Sequence, residues 1–156
     1  MKISILNIAN KMPDWVNTAC KEYLTRINHG KYSCSLVEIK ADKNSNKPVL
    51  ANMEAEAKKI EAQIPKDSFV IALDERGKNF DSIKFASFLE ETALSYRNIT
   101  FIIGGADGIH PELRDKANTT ISLSKMVFPH ALVRVIILEQ IYRAISILEN
   151  HPYHRE

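Results

Sequence analysis

The sequence has no long uncharged hydrophobic run and almost no cysteine. No apolar segment approaches the ~18 residues of a membrane-spanning helix, and the N-terminal MKISILNIAN is too short and too alternating for a signal peptide. Cys20 and Cys34 are the two cysteines, and they form no C-x-x-C pair. A disulfide framework is therefore excluded, and we expect reduced thiols. These absences together predict a soluble, cytoplasmic protein without a membrane segment.

An excess of charge of one sign and a metal-binding motif are also missing. The chain has 21 basic and 19 acidic residues, which gives a net charge of +2. This balance predicts no general affinity for nucleic acid, so any RNA site would be a local patch. The five histidines are scattered, without an H-E-x-x-H motif or a Cys/His cluster. We therefore expect no metal site.

The pattern that is present alternates strands with helices. Pro13, Pro48 and Pro111 suit the first turn of a helix, and Asp81 suits a helix cap. The predicted strands occupy residues 2–8, 32–39, 68–74, 99–103 and 119–123. Repeated strand–helix alternation predicts an α/β fold with a mostly parallel sheet flanked by helices. The length suits a single domain over residues 1–156.

Three unusual stretches follow the third, fourth and fifth predicted strands: LDERGK, GGADGIHPE and LSKMVFPH. Ligands of open parallel sheets bind beyond the carboxyl ends of the strands, so these stretches are expected to meet in one place. LDERGK is interpreted as a turn. Its charges are either simply solvated, or they serve a partner beside a pocket wall formed around Leu73. The turn carries Asp74, Glu75, Arg76 and Lys78.

The glycine-rich stretch is not a dinucleotide fingerprint. With Gly105 and Gly108 as the last two glycines of G-x-G-x-x-G, the first would fall on Ile103, so a pyrophosphate site is not expected. Two interpretations stay open for this turn. It is either a tight turn without a ligand, or a place where a ligand approaches the backbone closely.

The third stretch gives little support to acyl transfer. Ser122 and Ser124 have no Ser-His-Asp partners at a nucleophile elbow. Pro129 suits the first turn of the last helix. His130, which follows it, suits a cap or a packed ring better than a catalytic base.

The predicted last helix, residues 131–148, is apolar on nearly every side. A helix that is apolar all round has to be covered all round. One side can pack on the sheet, and a second copy of this small chain is the simplest cover for the other side. We therefore expect a homodimer through this helix, with Glu139 and Arg143 paired four residues apart.

The chain ends in NHPYHRE, which holds two imidazoles, a phenol, a guanidinium and a proline. The last residues of a domain usually fray. Imidazole and guanidinium groups are instead typical of proton-transfer and anion-binding sites, so the tail is a candidate functional segment.

These stretches together carry a resemblance. LDERGK, FIIGGADGIHPEL, SLSKMVFPHALVRVIILEQIYRAISI and NHPYHRE, with KMPDW near the start, resemble the small SPOUT, or α/β-knot, methyltransferases that methylate N3 of a pseudouridine in large-subunit (23S) ribosomal RNA. The resemblance covers residues 1–156. It implies a C-terminal segment threaded into a deep trefoil knot, a rare exception among folds. It also implies S-adenosylmethionine as cofactor, held between three loops. The implied cofactor-binding residues are Leu73, Gly104, Leu123, Ser124, Lys125, Met126, Val127 and Phe128.

The resemblance further implies a homodimer with the active site at the interface, where Tyr153, His154 and Arg155 of one copy lie over the cofactor of the other. His154 suits the acceptor of the N3 proton, with His130 and solvent as alternatives. Tyr153 is expected to stack on the base or to hydrogen-bond to it. Arg155 is expected to stabilise negative charge on the uracil oxygens or to hold a phosphate.

RNA recognition leaves alternatives open. The resemblance places the reaction on assembled ribosomes, where a large shaped surface supplies recognition that modest charge does not. A rival interpretation is a non-catalytic RNA-binding or ribosome-associated factor with the same fold. A small nucleotide-binding enzyme of flavodoxin-like shape is disfavoured by the missing phosphate loop. Candidate phosphate contacts, each also explicable as an ordinary surface or paired charge, are Lys78, Lys125, Arg134 and Arg143.

Overall fold

A computed structural model describes residues 1–42 and 44–155, so Lys43 in the predicted polar loop and Glu156 at the end of the tail lie outside the described residues. Strands and helices alternate along the chain. The strands are β1 (Lys2–Ile8), β2 (Ser33–Ile39), β3 (Ser68–Asn79), β4 (Asn98–Ile103) and β5 (Thr119–Ser122). The helices are α1 (Asp14–Asn28), α2 (Val49–Gln63), α3 (Ser82–Ser95), α4 (Pro111–Lys116) and α5 (His130–Leu148), and a 3₁₀ turn (Pro152–His154) follows.

The five strands form one sheet in the order β2-β1-β4-β3-β5, and every neighbouring pair is parallel. Parallel strands require crossover connections, which the helices between them supply. The predicted α/β fold with a parallel sheet flanked by helices is therefore confirmed. The threading of the C-terminal segment stays a prediction.

Helices cover both faces of the sheet. One apolar cluster joins the sheet to α1, α3 and α5, and the other joins it to α2 and α4. A sheet buried on both faces selects strands that are apolar without interruption. β4 shows this directly, because all residues from Ile99 to Ile103 are buried. Both cysteines are buried and free, and burial raises the pKa of the Cys34 thiol to about 12.

The proline signals predict helix starts to within one residue. Pro13, Pro48 and Pro129 each stand one position before the helix, with extended ψ, rather than in its first turn. Their carbonyl oxygens accept the first helical N–H bonds, and the missing proline N–H costs nothing at this position. The predicted cap is confirmed, because Oδ1 of Asp81 accepts a hydrogen bond from the N–H of Lys84 at 2.7 Å.

The predicted turn at LDERGK is wrong, because these residues continue β3. The pairing between β3 and β5 shifts between Leu73 and Lys78, which then pairs with Ile121. Inside this bulge, Oδ1 of Asp74 accepts a hydrogen bond from the backbone N–H of Arg76 at 2.9 Å, and so satisfies a donor that the ladder leaves free. The charges of this stretch suggested a turn, but the strand resumes its pairing with β5 at Lys78, after the bulge.

Helix α5 lies on the same face of the sheet as α1 and α3 and packs against both. Ile137, Leu138 and Ile141 are fully buried there. Much of its apolar surface is therefore covered within one chain, although half-buried side chains remain at its start, including Leu132 and Ile136. The expected homodimer through α5 stays a prediction. None of the helices in residues 1–42 and 44–155 combines the length and hydrophobicity that crossing a membrane requires.

Replacement of Gly77 is expected to test the bulge. A Cβ at Gly77 would lie 2.6 Å from the backbone of Thr120, so β3 and β5 would have to separate. Gly77→Ala should lower the free energy of unfolding by about 3 kcal/mol, as measured by urea denaturation. Gly30→Ala is the matched control, because its Cβ would lie 3.8 Å from the nearest atom, and it should change stability by less than about 1 kcal/mol. Equal small effects in both variants would contradict the close β3–β5 contact.

Candidate active site

A cavity of about 440 Å³ lies beside the bulge of β3, at the carboxyl ends of β4 and β5 and at the start of α5. This is the edge of the sheet at which parallel α/β folds bind ligands. Residues of all three stretches, LDERGK, GGADGIHPE and LSKMVFPH, meet here as expected. Most of the predicted cofactor-binding residues line the cavity: Leu73, Gly104, Leu123, Ser124, Met126, Val127 and Phe128. Lys125 does not line it, and its side chain is exposed. Their roles stay predictions.

The glycine turn forms one wall of the cavity. Gly105 and Gly108 pair as an isolated antiparallel bridge, with the N–H of Gly108 donating to the carbonyl of Gly105 at 3.0 Å. Gly108 has a φ of +87°, which L side chains rarely adopt. A Cβ on Gly104 would lie 2.4 Å from the backbone of Gly108. The tight turn therefore exists, and its bare backbone also faces the cavity.

The serines of the third stretch shape the loop between β5 and α5. The hydroxyl of Ser122 donates to the carbonyl of Ser124 at 2.8 Å, and the hydroxyl of Ser124 accepts from the N–H of Met126 at 2.9 Å. This folded loop leaves Met126 and Val127 77% and 80% exposed at the rim of the cavity. Both hydroxyls are engaged with the backbone, which agrees with the absence of a serine-nucleophile pattern.

An ion pair fixes the charged side of the cavity. Arg76 donates from Nε to Oδ1 of Asp74 at 2.9 Å and from Nη2 to Oδ2 at 3.2 Å, and Arg114 lies 3.9 Å away. The hydrogen bonds from Arg76 are the main reason that the pKa of Asp74 is lowered from its usual value. Asp74 therefore stays ionised in this wall. The bulge that was missed in the sequence is what brings Asp74 to the cavity.

His130 is the first residue of α5 and lines the cavity. Its Nε2 lies 3.0 Å from the carbonyl oxygen of Ile8. A carbonyl oxygen only accepts, so Nε2 carries a proton that it donates to Ile8. This is the packed-ring arrangement that the sequence favoured, and it ties the start of α5 to the end of β1.

The tail lies elsewhere. The N–H of His151 donates to the carbonyl of Ser146 at 2.8 Å, and the Tyr153 hydroxyl donates to Oε1 of Glu139 at 3.1 Å, so the tail folds back along α5. None of the described tail residues lines the cavity of its own chain. Arg155 is exposed, and the buried Nδ1 of His154 has no hydrogen-bond partner within the described residues. The structure of one chain therefore does not bring the predicted catalytic residues and the cavity together.

The candidate phosphate contacts separate into two kinds. Lys78 and Lys125 are exposed beside the cavity. Arg143 binds Glu139 at 2.7 Å, which confirms the pairing predicted within the helix. The prediction that Arg134 contacts a phosphate is wrong, because its side chain is fully buried and binds Asn7 and Glu38.

Sequence reasoning missed several residues of this region. Ile103, Gly105 and Asp107 line the cavity beside Gly104 and were not assigned to it. Their position next to the fourth strand end was a usable signal. Arg134 is the one charged residue in the apolar stretch 131–138, but this pattern alone does not show that its side chain is buried. In the part of the chain that the structure describes, no three His, Cys, Asp or Glu side chains gather as metal ligands.

Removal of the Asp74 carboxylate is expected to change the acid dependence of stability. The folded-state pKa of Asp74 is lower than its unfolded-state pKa, so the ionised group stabilises the fold above the unfolded value, about 4. That contribution is lost as pH falls through the folded-state pKa. Between about pH 5 and pH 2 the unfolding free energy should fall more steeply for the parent than for Asp74→Asn. Urea denaturation across this pH range measures the difference.

The control for this experiment is Asp115→Asn, which removes a carboxylate that is 77% exposed. Its profile should follow that of the parent. An Asp74→Asn profile parallel to that of the parent would contradict the stabilisation of the ionised carboxylate by Arg76.

Comparison with known proteins agrees with this geometry. A sequence model of the family described as "Predicted SPOUT methyltransferase" matches residues 1–154. A protein named ribosomal RNA large subunit methyltransferase H from Methylobacillus flagellatus is 44% identical, over 100% of both chains. Proteins of the same name are 43% identical in Chromobacterium violaceum, over 100% of both chains, and 42% identical in Paraburkholderia xenovorans, over 99% of both chains. The chain therefore belongs to the SPOUT methyltransferase family.

Proposed function

We propose that this chain, folded as one domain, transfers the methyl group of S-adenosylmethionine to N3 of a pseudouridine in large-subunit ribosomal RNA, as a homodimer acting on the assembled ribosome in the cytoplasm. The observation that carries the proposal is the cavity between the bulge of β3 and the ends of β4 and β5, in a member of the SPOUT family. The full-length relatives named as ribosomal RNA large subunit methyltransferases support the substrate class.

The cavity suits S-adenosylmethionine in size and chemistry. Its volume of about 440 Å³ is within the range of small-molecule sites. Leu73, Leu123 and Phe128 offer apolar walls, and Gly104 adds backbone to the lining, where amide groups can hydrogen-bond to the adenine or ribose. The cofactor carries no triphosphate, so a phosphate loop is not needed. When bound, it supplies an electrophilic methyl group.

The protein then has to place the nucleophile and remove its proton. N3 of a pseudouridine carries a proton, and His154 has a side chain suited to accept it near neutral pH. Arg155 carries a guanidinium group of the kind that stabilises negative charge, and its proposed role is to do so on the uracil oxygens. Alignment of N3 with the methyl group is mainly a matter of positioning.

In this proposal, a second copy brings the tail of one chain to the cavity of the other. The tail is held on its own chain beside Glu139, about 14 Å along α5 from His130 at the helical rise of 1.5 Å per residue. Met126 and Val127 expose apolar surface at the rim of the cavity. Contact between that rim and another copy would bury this surface and bring the partner's tail to the cavity.

Cofactor binding gives the first test. Isothermal titration calorimetry should detect binding of S-adenosylmethionine by the parent. Val127→Arg places a bulky cation at the exposed rim and should weaken binding about tenfold or more, because the guanidinium repels the sulfonium of the cofactor at the entrance of the cavity. Val49→Arg is the matched control, since Val49 is 54% exposed at the start of α2 and does not line the cavity. No heat from the parent at millimolar cofactor would instead support the non-catalytic RNA-binding factor.

Mixed copies test the shared site. His154→Ala removes the tail imidazole, and Leu73→Arg places a charge against the apolar wall of the cavity, away from the exposed rim at Met126 and Val127, so each variant alone should be nearly inactive. Random mixing of the two gives half mixed dimers, each with one intact site, so about a quarter of the parental methyl transfer should return. Mass mapping of digested ribosomal RNA locates the transferred methyl group. No recovery in a mixture shown to exchange copies would mean that each chain builds its site alone.

A further inference from the structure

The tail rests on a surface built by α1 and α5 of its own chain, which we call the tail cradle and which consists of Tyr23, Arg26, Glu139, Tyr142 and Arg143. The side chain of Tyr153 occupies its centre. Its hydroxyl donates to Oε1 of Glu139 at 3.1 Å and lies 3.4 Å from the hydroxyl of Tyr23. The acceptor is itself fixed, because Nη2 of Arg143 lies 2.7 Å from the same oxygen.

The ring of Tyr153 is also engaged. The ring of Tyr142 meets it in a T-shaped contact with centroids 4.6 Å apart. The guanidinium groups of Arg143 and Arg26 lie 5.1 and 5.9 Å from its centroid. These are the distances of favourable aromatic and cation–π contacts. A ring with these neighbours has little free face on which to stack a nucleobase.

The hydroxyl is poorly suited to proton transfer. Burial, together with the bond to Tyr23 and the nearby Glu139 carboxylate, raises the pKa of Tyr153 well above its ordinary value. A phenol that already donates to a carboxylate is also held in its neutral form. Its contacts therefore give it an anchoring function within its own chain.

The anchor fixes the residues that follow. The side chain of His151 accepts from the N–H of Tyr153 at 3.2 Å, and the N–H of Arg155 donates to the carbonyl of Pro152 at 3.1 Å. Together with the hydrogen bond from the N–H of His151 to the carbonyl of Ser146, these contacts give the 3₁₀ turn a defined orientation on α5. His154 thus follows directly after an anchored residue in a hydrogen-bonded turn.

We propose that Tyr153 is a positioning residue, which the tail cradle of its own chain holds so that His154 is presented, already ordered, to the methyl-transfer site of a second copy. Tyr23 and Glu139 act with it by holding its hydroxyl. This inference rests on the proposed function for its reaction, but the ordering of the tail does not depend on that reaction. An ordered tail lowers the entropy that would be lost when the shared site closes.

Tyr153→Phe is the sharpest variant, because it keeps the ring contacts and removes only the hydroxyl. Tyr96→Phe is the matched control, since Tyr96 packs on Phe69 outside the cradle. In Tyr153→Phe, kcat should fall about tenfold while the KM and calorimetric Kd for S-adenosylmethionine stay within about twofold, since only alignment is lost. The apparent pKa values of the kcat–pH profile should not move. An unchanged kcat, or a profile that loses one of its pKa values, would overturn the positioning role.

Hydrogen–deuterium exchange gives a readout that needs no substrate. The amides of Tyr153 and Arg155 should exchange faster in Tyr153→Phe and in Glu139→Gln than in the parent or in Tyr96→Phe. The effect of the double variant on exchange should be smaller than the sum of the two single effects, because both substitutions weaken the hydrogen bond between Tyr153 and Glu139. Unchanged exchange would overturn the inference. If the parent transfers no methyl group to ribosomal RNA, the proposed function fails, and the exchange experiment still decides whether the cradle orders the tail.

Discussion

The placement of α5 depends on one buried arginine. Arg134 has no exposed surface, and its Nε donates to Oδ1 of Asn7 at 2.8 Å while its Nη1 binds Glu38 at 3.0 Å. The amide of Asn7 in turn donates to the carbonyls of Ile8 and Ile103, at 3.2 and 3.4 Å. These bonds join the helix to β1, β2 and β4. A buried charge that loses a partner is costly, by about 3–5 kcal/mol, so α5 is tied to one rotation and one height above the sheet.

The placement of α5 determines where the cavity and the tail lie. His130, one turn before Arg134, bonds to the end of β1 and closes the cavity. Glu139, just over one turn after Arg134, accepts the hydroxyl of Tyr153 and holds the tail. Apolar contacts with α1 and α3 are non-directional and would permit small rotations of α5. The polar contacts of Arg134 are directional, so they set the positions of cavity and tail together.

The parts of the fold that could be predicted are those governed by local pattern. Uninterrupted apolar runs marked β3 and β4, because a parallel sheet is buried on both faces. Gly104 and Gly108 marked the turn, because close backbone approach and a positive φ exclude other side chains. Convergence of the three stretches was predicted from the geometry of parallel sheets, whereas the eight cofactor-binding residues were implied by the family resemblance, and seven of them line the cavity.

The parts that could not be predicted depend on partners distant in sequence. LDERGK reads as a turn by its charge, but the strand resumes after the bulge, where Lys78 and Asn79 pair with β5, and inside the bulge the N–H of Arg76 donates to Asp74. Arg134 reads as a surface cation until Asn7, far away along the chain, appears beside it. The roles of the tail are the hardest to predict. Glu139, which accepts the hydrogen bond from Tyr153, is close to it in sequence. The site that the tail is proposed to serve lies on a second copy, and no local sequence pattern shows which surfaces of two copies meet.

Within one chain, the tail is kept away from the cavity by the chain reversal that follows α5. The tail leaves α5 at Glu149 and Asn150 and turns back on itself, and Asn150 adopts a φ of +54° to make that reversal. Tyr153 follows Asn150 by three positions and is already bound to Glu139. To reach the cavity of its own chain, the tail would have to leave the cradle and extend back towards His130. A second copy removes this conflict, because the tail can stay on its cradle while another cavity is brought to it. The reversal at Asn150 and the cradle on α5 therefore favour a shared site over one built within a single chain.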